Sequence, residues 1–429
     1  MNNGASHGHV AARAVSLHAA ALRMHRSNQE KKRMFARSAL PASISALALL
    51  SNRWNTSGCE DNEGTSRVRV GIPRLVNLLC LALRSEGYTN SLDIRVIADV
   101  LLFAELRGNN QGSVKLINGD LKLNPLSSAK SVVEHETPVS ARLNGRQRTG
   151  MCVMHDAVDL ALEKAAAQGV GIVGMSFYSS ATGALGYWSR KIALTGNVGI
   201  VMSSCPEMVA PHGSHEAIFG TNPIAIGFPG TLDGKGAPPL VLDMATSSTA
   251  WFAVVTAAAL GQSLPEGLAY DCEGYLTRDP NAVLQGGALR PFDFSYKGSH
   301  LGLMVELLAG ALVGAAVENK HSAKNWGSLV VVINPAVLGA DPVVLQEKVE
   351  ALCRRIKNAK RVPATTGDGR LAQKGPVAQG VRGVQEGRIY LPGERGDEME
   401  SLALQRGWVE MEEVLLERLE KLAEGHREW

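Results

Sequence analysis

The middle third of the chain sets a helix, a glycine and a strand in turn, and this rhythm narrows the possible folds most. A helical pattern runs over residues 155–169 with Asp156 placed to cap it, and the apolar segment 170–177 behind it reads as a strand. The same succession recurs as a helix over 184–195, a stop at Gly196 and a strand over 198–202. Further short strands are expected at 224–228 and 240–243, and a long helix at 249–260. Strands interleaved with helices specify an α/β protein.

The glycines at the first junction, Gly169, Gly171 and Gly174, spell G-x-G-x-x-G. In a Rossmann unit that string joins a strand to a helix, so that N–H groups at the helix start meet a pyrophosphate. Here it follows a helix and opens a strand. The negative end of the helix dipole then sits at the glycines and repels phosphate, which argues against the usual dinucleotide fingerprint.

Ahead of this core, helices are expected at residues 73–87 and from Ser91 to about Leu106, where Ile94, Val96, Ile97, Val100, Leu101 and Ala104 recur at helical spacing until Gly108 stops the second one. The apolar run 301–317 holds Glu306 and three glycines, falls short of the ~20 residues of a membrane span, and reads as a buried helix. Residues 361–387 hold few large apolar side chains and read as a mobile loop. Residues 397–424 read as one charged amphipathic helix with a stripe of Leu415, Leu416, Leu419 and Leu422. Up to Gly58 Glu30 is the only acid among eight basic residues, a bias that fits either a transit peptide or an unprocessed disordered extension, and hence a mitochondrial or a cytoplasmic location.

Bulk composition excludes several classes. With 44 Lys and Arg against 41 Asp and Glu, the formal charge of +3 supplies no concentrated basic footprint for nucleic acid. The six cysteines form no CxxC pair and have no histidine at metal-ligand spacing, so they read as reduced thiols and no metal site is expected.

Several short segments carry chemistry of their own. Residues 243–248 read DMATSS, an acid at a strand end followed by hydroxyls and backbone donors suited to ribose or phosphate; Asp243 serves equally well as a helix cap. Residues 296–298 read YKG, where Lys297 can set a cation on a pyrophosphate and Gly298 lets backbone approach it. Residues 210–223 read APHGSHEAIFGTNP, in which Pro223 biases Asn222 away from helix.

Taken in order, residues 210–223, 243–248, the TRDP of 277–280, Gly286-Gly287, the YKG of 296–298 and the LPGE of 391–394 make this chain resemble the type-2 malate/L-lactate dehydrogenase family, whose relatives include ureidoglycolate dehydrogenase, sulfolactate dehydrogenase and diketogulonate reductase. The resemblance covers most of the chain beyond residue 70. It implies a dinucleotide-binding mixed-sheet domain without a Rossmann fingerprint, at residues 136–292. A helical domain is expected from 67–135 and 293–429, with residues 1–66 as the basic extension. It further implies NAD or NADP as cofactor, a homodimer with the active site near its interface, and a small-molecule substrate. Cofactor contacts are implied at Asp243, Met244, Ala245, Thr246, Ser247, Tyr296, Lys297, Gly393, Glu394 and Arg395. At the position of His212 relatives often carry Trp, so that histidine reads as a packing residue, and Glu216 reads as an anchor for its segment.

Two family positions differ here. The family pattern S-H-G-V-x-R, whose His is proposed for proton transfer and whose Arg for the substrate carboxylate, matches QGSVK at 111–115; N-S-x-H matches YSSA at 178–181. Lys115 can still hold a carboxylate, but neither Gln111 nor Ala181 can shuttle a proton at neutral pH. Gln111, Lys115 and Ser204 are the substrate-binding candidates, and His300 and Tyr178 the candidates for the proton, with Lys115 competing. The expected activity is hydride transfer between a nicotinamide cofactor and a malate- or lactate-type 2-hydroxy or 2-oxo acid. The alternatives are a cyclic imino acid reductase or a dinucleotide-binding protein without catalysis.

Overall fold

In the computed structural model, residues 66–109, 111–128, 130–230, 238–361 and 388–425 are described. The expected basic extension up to Thr65 and the expected loop at 362–387 lie outside them. Strand β1 (Arg67–Gly71) leads into helices α1 (Ile72–Ser85), α2 (Ser91–Leu106) and the single turn α3 (Val114–Ile117). Asn90 caps α2 by accepting from the Leu92 and Asp93 N–H groups, and Ile94, Ile97, Val100, Leu101 and Ala104 are buried as their spacing requires.

Next come β2 (Val132–Glu136), β3 (Ser140–Asn144), α4 (Gly150–Gln168), β4 (Val170–Tyr178), α5 (Leu185–Ala193), β5 (Val198–Ser203), β6 (Ile224–Phe228), β7 (Leu240–Met244) and α6 (Trp251–Ala259). Beyond them lie the short β8 (Ala269–Tyr270), β9 (Leu276–Thr277), α7 (Pro280–Leu284) and β10 (Ala288–Leu289), then α8 (Tyr296–Ala309), α9 (Lys320–Ala323), β11 (Trp326–Ile333), α10 (Pro342–Lys357), α11 (Glu394–Arg406), β12 (Trp408–Glu412) and α12 (Glu413–Glu424).

The main sheet has seven strands in the order β2-β3-β4-β11-β5-β6-β7. It is mixed: β3 and β4 run parallel and the remaining neighbours antiparallel. Helix α4 ends at Gly169 and its glycines open β4, as the reversed motif requires. Gly171 is there for packing: a Cβ at this position would stand 2.0 Å from the Ala161 carbonyl oxygen of α4, so helix and strand touch backbone to backbone. A second contact closes the two ends of the described chain, since β1 pairs antiparallel with β12 and α12 packs on α1 through buried Leu415, Leu416 and Leu419. Each such leucine contributes about 1.5–3 kcal/mol on burial.

Four expectations change. The helix expected from His155 begins at Gly150, because the turn Gly150–Met154 is buried; Asp156, the expected cap, lies inside it and pairs with Arg148 at 2.6 Å and with the Ser131 hydroxyl at 2.8 Å. The single helix expected over 397–424 is two. Gly407 takes φ +77°, a conformation that ends α11, and Trp408–Glu412 is claimed by strand pairing with β1. The run 301–317 is a helix only to Ala309 and buries one face alone. Val305 and Ala309 pack on Met202 and Leu329, while Leu303, Met304, Leu307, Leu308 and Leu312 are exposed. Finally, the sheet is not confined to 136–292, since β11, at its centre, comes from the segment assigned to helices.

The thiols of Cys80, Cys152, Cys205, Cys272 and Cys353 are free. Among the described residues no helix is long and apolar enough to cross a membrane, and no cluster of three or more His, Cys, Asp or Glu is placed to hold a metal ion.

Candidate active site

A cleft of about 1560 Å³ opens where α2 and α3, the ends of β4, β5 and β7, and α6 converge. Gln111, Lys115, Tyr178, Ser204, Asp243, Met244, Ala245, Ser247 and Arg395 all line it. The structure therefore gathers residues that are scattered over most of the sequence. Gln111 and Ala181, the two positions where the resemblance expects histidine, face the same cleft.

Lys115 dominates its electrostatics. The side chain is 1% exposed, and its Nζ lies 3.5 Å from the centroid of the Phe252 ring on α6. Among the described residues no carboxylate or other hydrogen-bond acceptor pairs with the ammonium. Burial lowers its pKa from 10.5 to about 7, although the Asp120 and Cys205 charges pull the other way. The turn that carries Lys115 rests on Glu105, whose carboxylate accepts from both the N–H and the hydroxyl of Ser113 at 2.6 Å. Glu105 also lines the cleft, and burial pushes its carboxyl up.

Asp243 closes β7 and accepts from the Gly186 N–H at 2.8 Å. Asp243 is exposed at the end of β7 and faces the cleft. Desolvation pushes it up to about 6, opposed by the Gly186 hydrogen bond and the Arg107 charge. Thr246 stands behind the wall, its hydroxyl bonded to the carbonyls of Thr221 and Asn222.

Tyr178 belongs to a hydroxyl chain that the sequence did not disclose. Its phenol bonds Ser328 on β11 at 2.8 Å, Ser328 bonds Ser203 on β5 at 2.7 Å, and Ser203 reaches Thr182 at 3.3 Å. Burial raises the phenol above its usual range, which makes it a neutral hydrogen-bonding group and not a base.

The other candidates stand elsewhere. Tyr296, Lys297 and His300 project from the exposed start of α8 and do not line this cleft; His300 packs edge-on against Tyr296. The start of α8 is already satisfied from within, with Asp293 accepting from the Ser295 and Gly298 N–H groups and Ser295 from that of Lys297. Gly393 gives its carbonyl to Arg107 at 2.9 Å, and Glu394 is paired with Lys357 and Arg388. His212 and Glu216 are exposed, and Asn222 is a buried brace that donates to the Gly302 carbonyl and Glu306.

The family model for malate/L-lactate dehydrogenase matches residues 72–375. The chain belongs to that family. One member, L-sulfolactate dehydrogenase of Methanothermobacter thermautotrophicus, is 34% identical over 275 residues, covering 62% of this chain and 78% of its own. A delta(1)-pyrroline-2-carboxylate/delta(1)-piperideine-2-carboxylate reductase of Pseudomonas syringae pv. tomato is 34% identical over 280 residues, 62% of this chain and 79% of that enzyme. Among solved structures, malate dehydrogenase of Pyrococcus horikoshii superposes with TM-score 0.68 at 27% identity, over 86% of this chain and 98% of the other. The family thus holds both hydroxy acid dehydrogenases and imino acid reductases.

Proposed function

We propose that this protein transfers a hydride between NAD or NADP and a small 2-hydroxy or 2-oxo acid of the malate or lactate type. The observation that carries this reading is the unpaired, buried Lys115 ammonium at the wall of a cleft that also gathers Gln111, Ser204 and the 243–248 turn. An uncompensated buried cation is costly, and a small carboxylate compensates it. The cleft exceeds the ~300–1000 Å³ of an ordinary ligand pocket, leaving room for a dinucleotide beside a small acid.

When bound, the nicotinamide cofactor supplies or accepts the hydride. Asp243, Met244, Ala245, Ser247 and Arg395 would hold it along one wall, and Lys115, Gln111 and Ser204 the acid. The Gly186 N–H, donating to Asp243, fixes that carboxylate at the cleft wall, and the Phe252 ring covers the Lys115 amine.

We assign the second copy of the proposed dimer to the exposed apolar face Leu303, Met304, Leu307, Leu308 and Leu312 of α8 and the turn beyond it, next to Tyr296, Lys297 and His300. Sedimentation velocity is expected to show a dimer for the native chain and a monomer for the Leu307→Glu/Leu308→Glu variant; a native monomer would contradict the assignment.

A spectrophotometric screen of 2-oxo acids, 2-hydroxy acids and cyclic imino acids with both cofactors tests the activity. Turnover of at least one 2-oxo acid is expected. Turnover of imino acids alone would transfer the reading to the reductases, a class represented by the Pseudomonas syringae relative, and no turnover with bound cofactor would leave a binding protein.

A further inference from the structure

We propose that Lys115 is the proton donor and acceptor of this reaction, in addition to attracting the substrate carboxylate. The inference rests on the proposed hydride transfer and assigns its missing acid and base. Reduction of a 2-oxo acid adds a hydride to the carbonyl carbon and a proton to its oxygen. As the C=O π bond breaks, one N–H bond of the Lys115 ammonium breaks and its proton joins the oxygen, leaving a neutral amine that is recharged from water. Oxidation runs the same transfer backward. An ammonium has three N–H bonds, so one can hold the carboxylate while a second faces the adjacent oxygen.

Three features of the site support this. The amine lines the cleft, is 99% withdrawn from solvent, and has no acceptor among the described residues to occupy its protons. The face of Phe252 at 3.5 Å holds it in place and stabilises the cation without taking a proton. Burial leaves it able to exist in both forms near neutral pH, which is the condition for efficient proton transfer.

Other ionisable groups share the cleft, among them Asp243, which is held by the Gly186 N–H. Asp120 and Cys205 act on Lys115 electrostatically, Glu105 is engaged by Ser113, and Glu410 and Glu412 line the same cleft from β12. Helix α6, which packs on α3, brings no titratable side chain. Tyr178 holds its proton too tightly, and His300 does not line the cleft.

Lys115→Arg keeps the cation but cannot release a proton near neutral pH. The expected result is a fall in kcat of a hundredfold or more, with KM for the 2-oxo acid and cofactor affinity within a few-fold of the native protein. In the native protein kcat/KM for reduction declines, and that for oxidation rises, as pH passes about 7, since kcat/KM reports the free enzyme; the variant loses that transition. Native turnover in Lys115→Arg would overturn the proposal and leave Lys115 as a carboxylate clamp. A readout without turnover accompanies the kinetics: in protein labelled at lysine Cε with 13C, the resonance missing from Lys115→Arg, or from Lys115→Gln should the arginine variant misfold, is expected to titrate near pH 7. Titration near 10 would overturn the proposal. A screen that finds no substrate defeats the hydride-transfer reading, whereas the NMR titration tests Lys115 regardless.

Discussion

Lys115→Met is expected to stabilise the protein by about 5 kcal/mol at pH 6 and to leave its stability unchanged near pH 10.5. The lysine pKa falls from 10.5 in the unfolded chain to about 7 in the fold, and that difference at ~1.36 kcal/mol for each tenfold sets the magnitude. The sign follows from proton counts. Below pH 7 the amine is charged in both states and the fold bears the full cost of burying a cation. Between pH 7 and 10.5 the folded amine is neutral while the unfolded one still carries its proton, so stability rises with pH. Above 10.5 both are neutral and the cost is gone. Methionine fills the same space against Phe252 without a charge. Urea denaturation of both proteins from pH 6 to 10.5 measures the difference; a gap that fails to narrow would mean that Lys115 is not buried as a strained cation. A loss of activity alongside the gain would place this residue among those where function is maintained at the expense of stability.

Lys320→Met is expected to cost about 3–5 kcal/mol, because it leaves a carboxylate buried without its partner. Lys320 is fully buried and its Nζ lies 2.9 Å from Glu306 Oε2, which also accepts from Asn222 at 2.8 Å. The second oxygen, Oε1, is buried with no partner. Converting both ends, as Lys320→Met with Glu306→Leu, removes the charges together and should recover most of the loss. Guanidinium denaturation of the single and double variants measures the coupling. A single variant as stable as the native chain would show that water reaches Glu306.

Local patterns disclosed most of the helices. Helix α2 was legible because its apolar residues keep helical spacing and Gly108 follows it. Strand β11 was not placed, since the centre of a sheet is assigned by partners as distant as Val173 and Val201, which no window of the sequence contains. Strand β2 escaped for a different reason: all five residues are exposed, so it carries no apolar alternation. In the site, Lys115 and Asp243 were legible from their motifs, but the burial that lowers the Lys115 pKa was not. It depends on Phe252, which the fold brings from elsewhere in the chain. The hydroxyl chain of Tyr178, Ser328 and Ser203 is hidden in the same way, each member lying on a different strand. His300 drew attention through its nearness to Lys297 in sequence, yet α8 turns its imidazole toward Tyr296 on the outside.

Isotope transfer tests the hydride-transfer reading most directly. Reduced cofactor bearing deuterium at the transferable position of the nicotinamide ring is mixed with the 2-oxo acid that the screen finds most active, and the mass of the 2-hydroxy acid product is measured. Direct transfer in the cleft yields product one mass unit heavier, labelled at C2, with the label retained in water. Product of unlabelled mass would contradict hydride transfer from the nicotinamide to the acid.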